Sequence, residues 1–128
     1  MAKIDAVAVV ATDMARSVAF YTALGFDFDG VDIAADHVEP NVAPGQTRLM
    51  IDSAELMTKL SGHGAGPATH AQFALLCDSP AEVVALASAV EQAGFDIVTA
   101  PWDAFWGQRY ATVKDPDGYQ VDLFAPLG

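Results

Sequence analysis

The sequence predicts an α+β fold built from two tandem βαβββ units, on three observations. Ala23-Leu24-Gly25-Phe26-Asp27 and Gln92-Ala93-Gly94-Phe95-Asp96 stand at the same place in each half, at the end of a helical stretch that follows a strand. The segment Ser61 to Pro67, SGHGAGP, carries three glycines and a proline and divides the chain near its midpoint. The turn Asp115-Pro116-Asp117-Gly118 separates two alternating runs, so the second half closes on an antiparallel hairpin. The units are residues 1–60 and 70–128 with a linker over 61–69, together one structural domain. One helix on a small sheet leaves a sheet face bare unless the unit meets its twin.

Ile4 to Ala11 is apolar and β-branched and reads as a buried strand. Thr12 or Asp13 caps a helix over Met14 to Leu24, with Met14, Val18 and Tyr21 on one face and Gly25 ending it. Phe26 to Val31 is expected as a second strand. A short strand near His37 follows, inside an irregular connection marked by Pro40, Pro44 and Gly45. Thr47 to Asp52 alternates cleanly: Leu49 and Ile51 on one face, Arg48, Met50 and Asp52 on the other. Ser53 caps a short helix to Leu60.

The second half repeats this order. His70 to Cys77 is an apolar strand. Ser79 at the N-cap, Pro80 at the first position and Glu82 in the first turn start a helix that runs to Ala93 and stops at Gly94. Phe95 to Thr99 is a strand, and the hairpin finishes the unit. In the hairpin Val121 and Leu123 oppose Gln120, Asp122 and Phe124, while Ala111 and Val113 alternate with Tyr110 and Thr112. One face is packing surface. The other carries an acid, an amide, a phenol and a hydroxyl.

Composition narrows the function classes. At 52% apolar, the 128 residues are enough for a sizeable core. Acidic residues number 17 against 6 basic ones, a net charge of −11 without a Lys/Arg cluster, so nucleic acid is not the expected partner. No apolar run approaches the roughly 20 residues that span a bilayer, and MAKIDAVAVV is a poor signal peptide because of its length and Asp5. The single Cys77 forms no internal disulfide, reads as a buried thiol, and fits a reducing cytoplasm.

The pieces ATDMARSVAFYTALGF, DSPAEVVALASAVEQAG and DPDGYQVDLF, set in this duplicated order, resemble the vicinal oxygen chelate superfamily, also called the glyoxalase/bleomycin-resistance/dioxygenase family. In pattern they resemble most its metal-free antibiotic-binding branch. The resemblance implies paired βαβββ modules forming a half-open barrel around a cavity, and a homodimer. It also implies where metal enzymes of the family place His, Gln or Glu ligands on the outer strands. The matching positions here are Ala6, Met50 (with Asp52 as the alternative), Gln72 and Asp122. Alanine offers no donor, a thioether suits soft copper(I), and Asp is one methylene shorter than Glu. His70 shares the parity of Gln72 and stands as the alternative ligand. The expectation is no metal and no cofactor.

What remains is recognition. Trp102, Phe105, Trp106 and Tyr110 crowd together, and ring faces hold flat or cationic ligands for about 0.5–2 kcal/mol each. The two tryptophans alternatively pack in the core or a dimer interface, and Phe105 is expected to pack. The expected ligand-binding set is Trp102, Trp106, Tyr110, Gln72, Asp122, Met50, His37, Arg48 and Thr112. A buried Asp122 needs a partner, with Arg109 or Arg48 the candidates. His37 caps or lines the cavity, His70 is structural or exposed, and His63 is solvated in the linker. The expected function is sequestration of a small planar or cationic molecule, such as an antibiotic, without turnover. The rival is a metal-dependent lyase, isomerase or dioxygenase. A third reading uses Asp122 or His37 as acid or base without metal.

Overall fold

The computed structural model describes residues 4–61 and 72–128. The expected linker from residue 62 onward, with His63 and His70, lies outside the described residues. In chain order the elements are β1 (Ala6–Ala11), α1 (Met14–Ala23), β2 (His37–Val38), β3 (Arg48–Ser53), α2 (Ala54–Ser61), β4 (Gln72–Leu76), α3 (Pro80–Gln92), β5 (Asp96–Ala104), β6 (Gln108–Lys114) and β7 (Gln120–Pro126). They build two sheets of related topology. In the first, β1 lies parallel to β3, with Ala6 opposite Arg48 and Ala11 opposite Ser53, and β2 joins the far side of β3. In the second, β4 lies parallel to β7, and β6 and then β5 follow antiparallel. The first and last strands of each half are therefore neighbours.

Local chemistry explains the helix ends. Asp13 accepts from the Arg16 amide at the start of α1, and Ser79 accepts from Glu82 at the start of α3. Gly25 and Gly94 follow the two C-caps at φ of 97° and 89°, a region costly for any side chain. Ser53 ends β3 and accepts from the Leu56 amide to start α2.

Two sequence expectations are corrected. Phe26 to Val31 forms no strand; a single bridge joins Asp27 to Asn41. Asp27 accepts from the Asp29 amide and Asp32 from the Ala34 amide. These carboxylates take up backbone donors that a ladder would need, and fold the segment into turns. Conversely, β5 runs past Thr99 through Pro101 to Ala104. It is an edge strand with register shifts on either side of Thr99, where a missing proline N–H is tolerated.

The core spans both halves. Phe20, Tyr21, Val9 and Ile51 of the first half, and Val90, Val113, Val121 and Leu123 of the second, are buried. Each such side chain contributes about 1.5–3 kcal/mol by leaving water. The Phe20 ring meets Phe95 edge-on at 5.4 Å. Hydrogen bonds from the DPDG turn reach the same joint. Tyr21 Oη donates to Asp115 at 2.9 Å, Thr12 Oγ1 donates to Asp117 at 2.6 Å, and the Val10 amide donates to Tyr119 Oη at 3.3 Å. Asp115 also accepts from the amides of Asp117 and Tyr119. Burial raises the pKa of Asp115 above the usual carboxylate range and that of Tyr21 above the usual phenol range.

Candidate functional site

Alternation gives each sheet a helix-covered face and an open one. On β6 and β7 the covered face holds Ala111, Val113, Val121 and Leu123, all buried, as the sequence expects. The open face carries Tyr110, Thr112, Asp122 and Phe124. Cross-strand register sets Trp102 opposite Tyr110, Tyr110 opposite Phe124 and Thr112 opposite Asp122. The aromatic run is continuous. Trp102 meets Trp106 at 5.4 Å, Trp106 meets Tyr110 at 5.6 Å, and Tyr110 stacks on Phe124 at 6.0 Å. Trp102 is 42% and Trp106 47% exposed, so their faces are open to a ligand or partner. Phe105, expected to pack, is 93% exposed at the hairpin tip and touches the Trp106 ring.

Asp122 is buried beneath this run, and its partners correct the expectation of an arginine. Tyr110 Oη donates to it at 2.6 Å and Thr112 Oγ1 at 2.8 Å. That hydrogen bond, helped by burial and the negative charge, pushes the Tyr110 phenol up to about 12. Arg109 instead holds Asp103, its cross-strand neighbour, at 2.7 and 3.3 Å. Arg48 holds Glu39 at 2.7 Å and Asp5 at 3.0 Å.

The open face of the first sheet is different in kind. His37 Nδ1 lies 2.5 Å from Asp52, and its Nε2 lies 2.7 Å from Glu39. Glu39 also receives Arg48, so acids and bases alternate in a row from Asp52 to Asp5. The bonds to Glu39 and Asp52 raise the His37 pKa, and the bond to His37 lowers that of Glu39. Met50 lies between Arg48 and Asp52 along β3, opposite Ala8. Sequence reasoning missed Glu39 and Asp5. Glu39 stands two residues beyond His37 and so at its parity, which was the available signal.

The expected residues thus fall into two groups. Trp102, Trp106, Tyr110, Thr112 and Asp122 come together on the second sheet; His37, Arg48 and Met50 share the first. Gln72 opens β4 with its backbone opposite Gln120. A cavity of about 350 Å³ borders Arg48 and Asp5, and one of about 420 Å³ lies where Arg16 and Lys114 meet the DPDG turn. The first takes in Arg48 of the first group, and neither contains the aromatic run. Cys77 is buried and free, with burial raising its thiol pKa. Among the described residues no helix is long and apolar enough to cross a membrane.

A model of the glyoxalase/bleomycin resistance protein/dioxygenase superfamily matches residues 3–123. The chain belongs to this superfamily. Solved members share its fold at low identity. A glyoxalase-related enzyme from Fulvimarina pelagi superposes at a TM-score of 0.81 with 15% identity, over 98% of this chain and 88% of that one. A family enzyme from Burkholderia phytofirmans PsJN gives 0.78 with 16% identity, over 98% and 100%. A lactoylglutathione lyase from Agrobacterium tumefaciens gives 0.71 with 18% identity, over 98% and 94%. No curated protein matches the chain.

Metal chemistry occurs in this superfamily, so the donor set matters. Ala6 supplies nothing, Met50 a thioether, and the Asp122 carboxylate already accepts two hydroxyls. His37 turns its two nitrogens to two different carboxylates. Among the described residues no three of His, Cys, Asp and Glu group closely enough to hold a metal ion. The described donors do not make a site for a divalent cation by themselves; His70 and the Gln72 side chain lie outside the described residues.

Proposed function

We propose that this superfamily member binds a small flat organic molecule, of the antibiotic type, against the aromatic wall of its second sheet, and acts by sequestration without turnover. One observation carries the reading: an uninterrupted run of Trp102, Trp106, Tyr110 and Phe124 lies over a buried carboxylate secured by two hydroxyls. Ring faces give stacking area, and a few fixed polar groups give orientation. The exposed rings of Phe105 and Trp106 support a homodimer as the working form, since large exposed apolar groups together mark interaction surfaces. The lone buried thiol suits a reducing cytoplasm.

Isothermal titration against a panel of aromatic antibiotics tests the reading. Binding weakened about tenfold or more by Trp102→Ala is the expected result, matching the upper range for one aromatic contact. Unchanged affinity in that variant rejects the stacking role. Stoichiometric divalent metal in the isolated protein, with an activity lost on chelation, would replace this reading with the lyase or dioxygenase one.

A further inference from the structure

The rings of the second face are ordered by a residue that is not itself a ring. Resting on the binding role above, we propose that Gln108 is the positioning residue of the aromatic wall: it holds the Trp106 indole in the orientation a ligand meets, and acts on the ligand through that ring. The first observation is convergence. Trp102, Phe105 and Tyr110 each meet Trp106 edge-on, at 5.4, 5.0 and 5.6 Å, with interplanar angles of 88°, 86° and 77°. The run therefore passes through one indole, and a turn of that ring would break all of these contacts. The second observation is a bond that prevents the turn. Trp106 Nε1 donates to Gln108 Oε1 at 2.8 Å. An indole N–H can only donate, so the carboxamide must offer its oxygen, and this fixes which way round the Gln108 amide sits.

Ring contacts alone would hold the indole poorly. Edge-to-face pairs are weak one at a time, and two of the three neighbours are themselves open to solvent, Trp102 at 42% and Phe105 at 93% exposure. The backbone beneath is already fixed. The Gly107 amide donates to the Ala104 carbonyl and the Leu127 amide to the Gly107 carbonyl, both at 3.0 Å. Gln108 opens β6 between Ala104 and Pro126 of the flanking strands, at the parity of Tyr110 and Thr112 and so on the open face. What the backbone leaves free at Trp106 is rotation of its side chain, and the bond to Gln108 removes that freedom. A ring that rotates must be stilled when a ligand stacks on it, at a cost to affinity; a ring held beforehand is spared that cost.

Circular dichroism and isothermal titration of the whole chain test this together. Two indoles 5.4 Å apart give an exciton couplet whose sign and size depend on their mutual angle. Gln108→Leu removes the acceptor at similar size and is expected to shrink that couplet, with no ligand present, toward the level of Trp106→Phe. Gln108→Glu keeps an oxygen for the indole N–H and is expected to retain it. Against acridine and the aromatic antibiotics, Gln108→Leu should bind about threefold to tenfold more weakly, the cost of stilling one side chain, and Gln108→Glu should bind as the unaltered protein does. Gln108→Ala repeats the comparison should leucine disturb the fold. An unchanged couplet, an unchanged affinity where the unaltered protein binds, or a loss that Gln108→Glu shares would each overturn the positioning role and leave the binding role standing. Failure of the unaltered protein to bind any of these rings would remove the binding role and this inference with it.

Discussion

The two halves place their first and last strands side by side in the same parallel pairing, yet their open faces have diverged completely. The first offers a row of acids and bases that satisfy one another: Asp52, His37, Glu39, Arg48 and Asp5. The second offers rings above a carboxylate that accepts from the hydroxyls of Tyr110 and Thr112. The covered faces did not diverge in this way. Val9, Leu49 and Ile51 in one half correspond in character to Val113, Val121 and Leu123 in the other. Packing against a helix tolerates only apolar side chains of suitable size, whereas an open face is constrained only by what it must meet. The shared strand pairing keeps the frame alike, while the exposed side of each sheet is free to specialise.

The largest expected effect tests whether the halves are one body. Phe20→Ala should cost about 3–5 kcal/mol in urea unfolding, because it empties the joint beside Tyr21 and Phe95. A single transition at a lower midpoint is expected; two separated transitions would show that the halves unfold independently. Next comes Asp115→Ala, at about 2–3 kcal/mol by the same measurement. It strips a partner from the buried Tyr21 hydroxyl and from two backbone amides.

The contrast between the faces should also appear in binding. Trp102→Ala should lower affinity about tenfold and Met50→Ala no more than about threefold, if the rings carry the ligand. Equal losses would show that both faces meet on the same molecule.

The smallest effect is a pH dependence confined to the first face. His37 holds its proton more tightly folded than unfolded. Its stabilisation is complete below the ordinary value of 6.5 and is lost as pH rises through the raised folded value. Glu39 acts oppositely: its contribution is present above 4.5 and lost as pH falls through the lowered folded value. Between those limits His37→Gln should cost about 0.5 kcal/mol, kept small because the pair is solvent-screened. Thermal melts across pH should show that difference closing on the alkaline side.

Much of the frame was legible because it is written locally. Caps at Asp13 and Ser79, glycines after both helices, the DPDG turn and strict alternation on β3, β6 and β7 each depend on a few adjacent residues. The strand expected after Phe26 failed because alternation and side-chain turns competed for the same amides, and the aspartates won. The strand expected over Phe95 to Thr99 continues through Pro101 to Ala104 because it lies at an edge, where proline is tolerated, and edge position is a property of the sheet and not of the segment. On the site, the aromatic run and the parity of Asp122 and Thr112 were readable. The partners of Asp122 and Arg48 were not, because hydroxyls and arginines are sorted by register between distant strands.

The pairing of β1 with β3 and of β4 with β7 has a kinetic consequence. Each sheet is completed only when its opening strand meets a strand that emerges after almost all the rest of its unit. Such distant encounters carry a large loop-closure cost before any contact rewards them. Until then the Val- and Leu-rich edges of β1 and β4 stand unpaired, so the nascent chain depends on speed, dilution or a chaperone to avoid its neighbours.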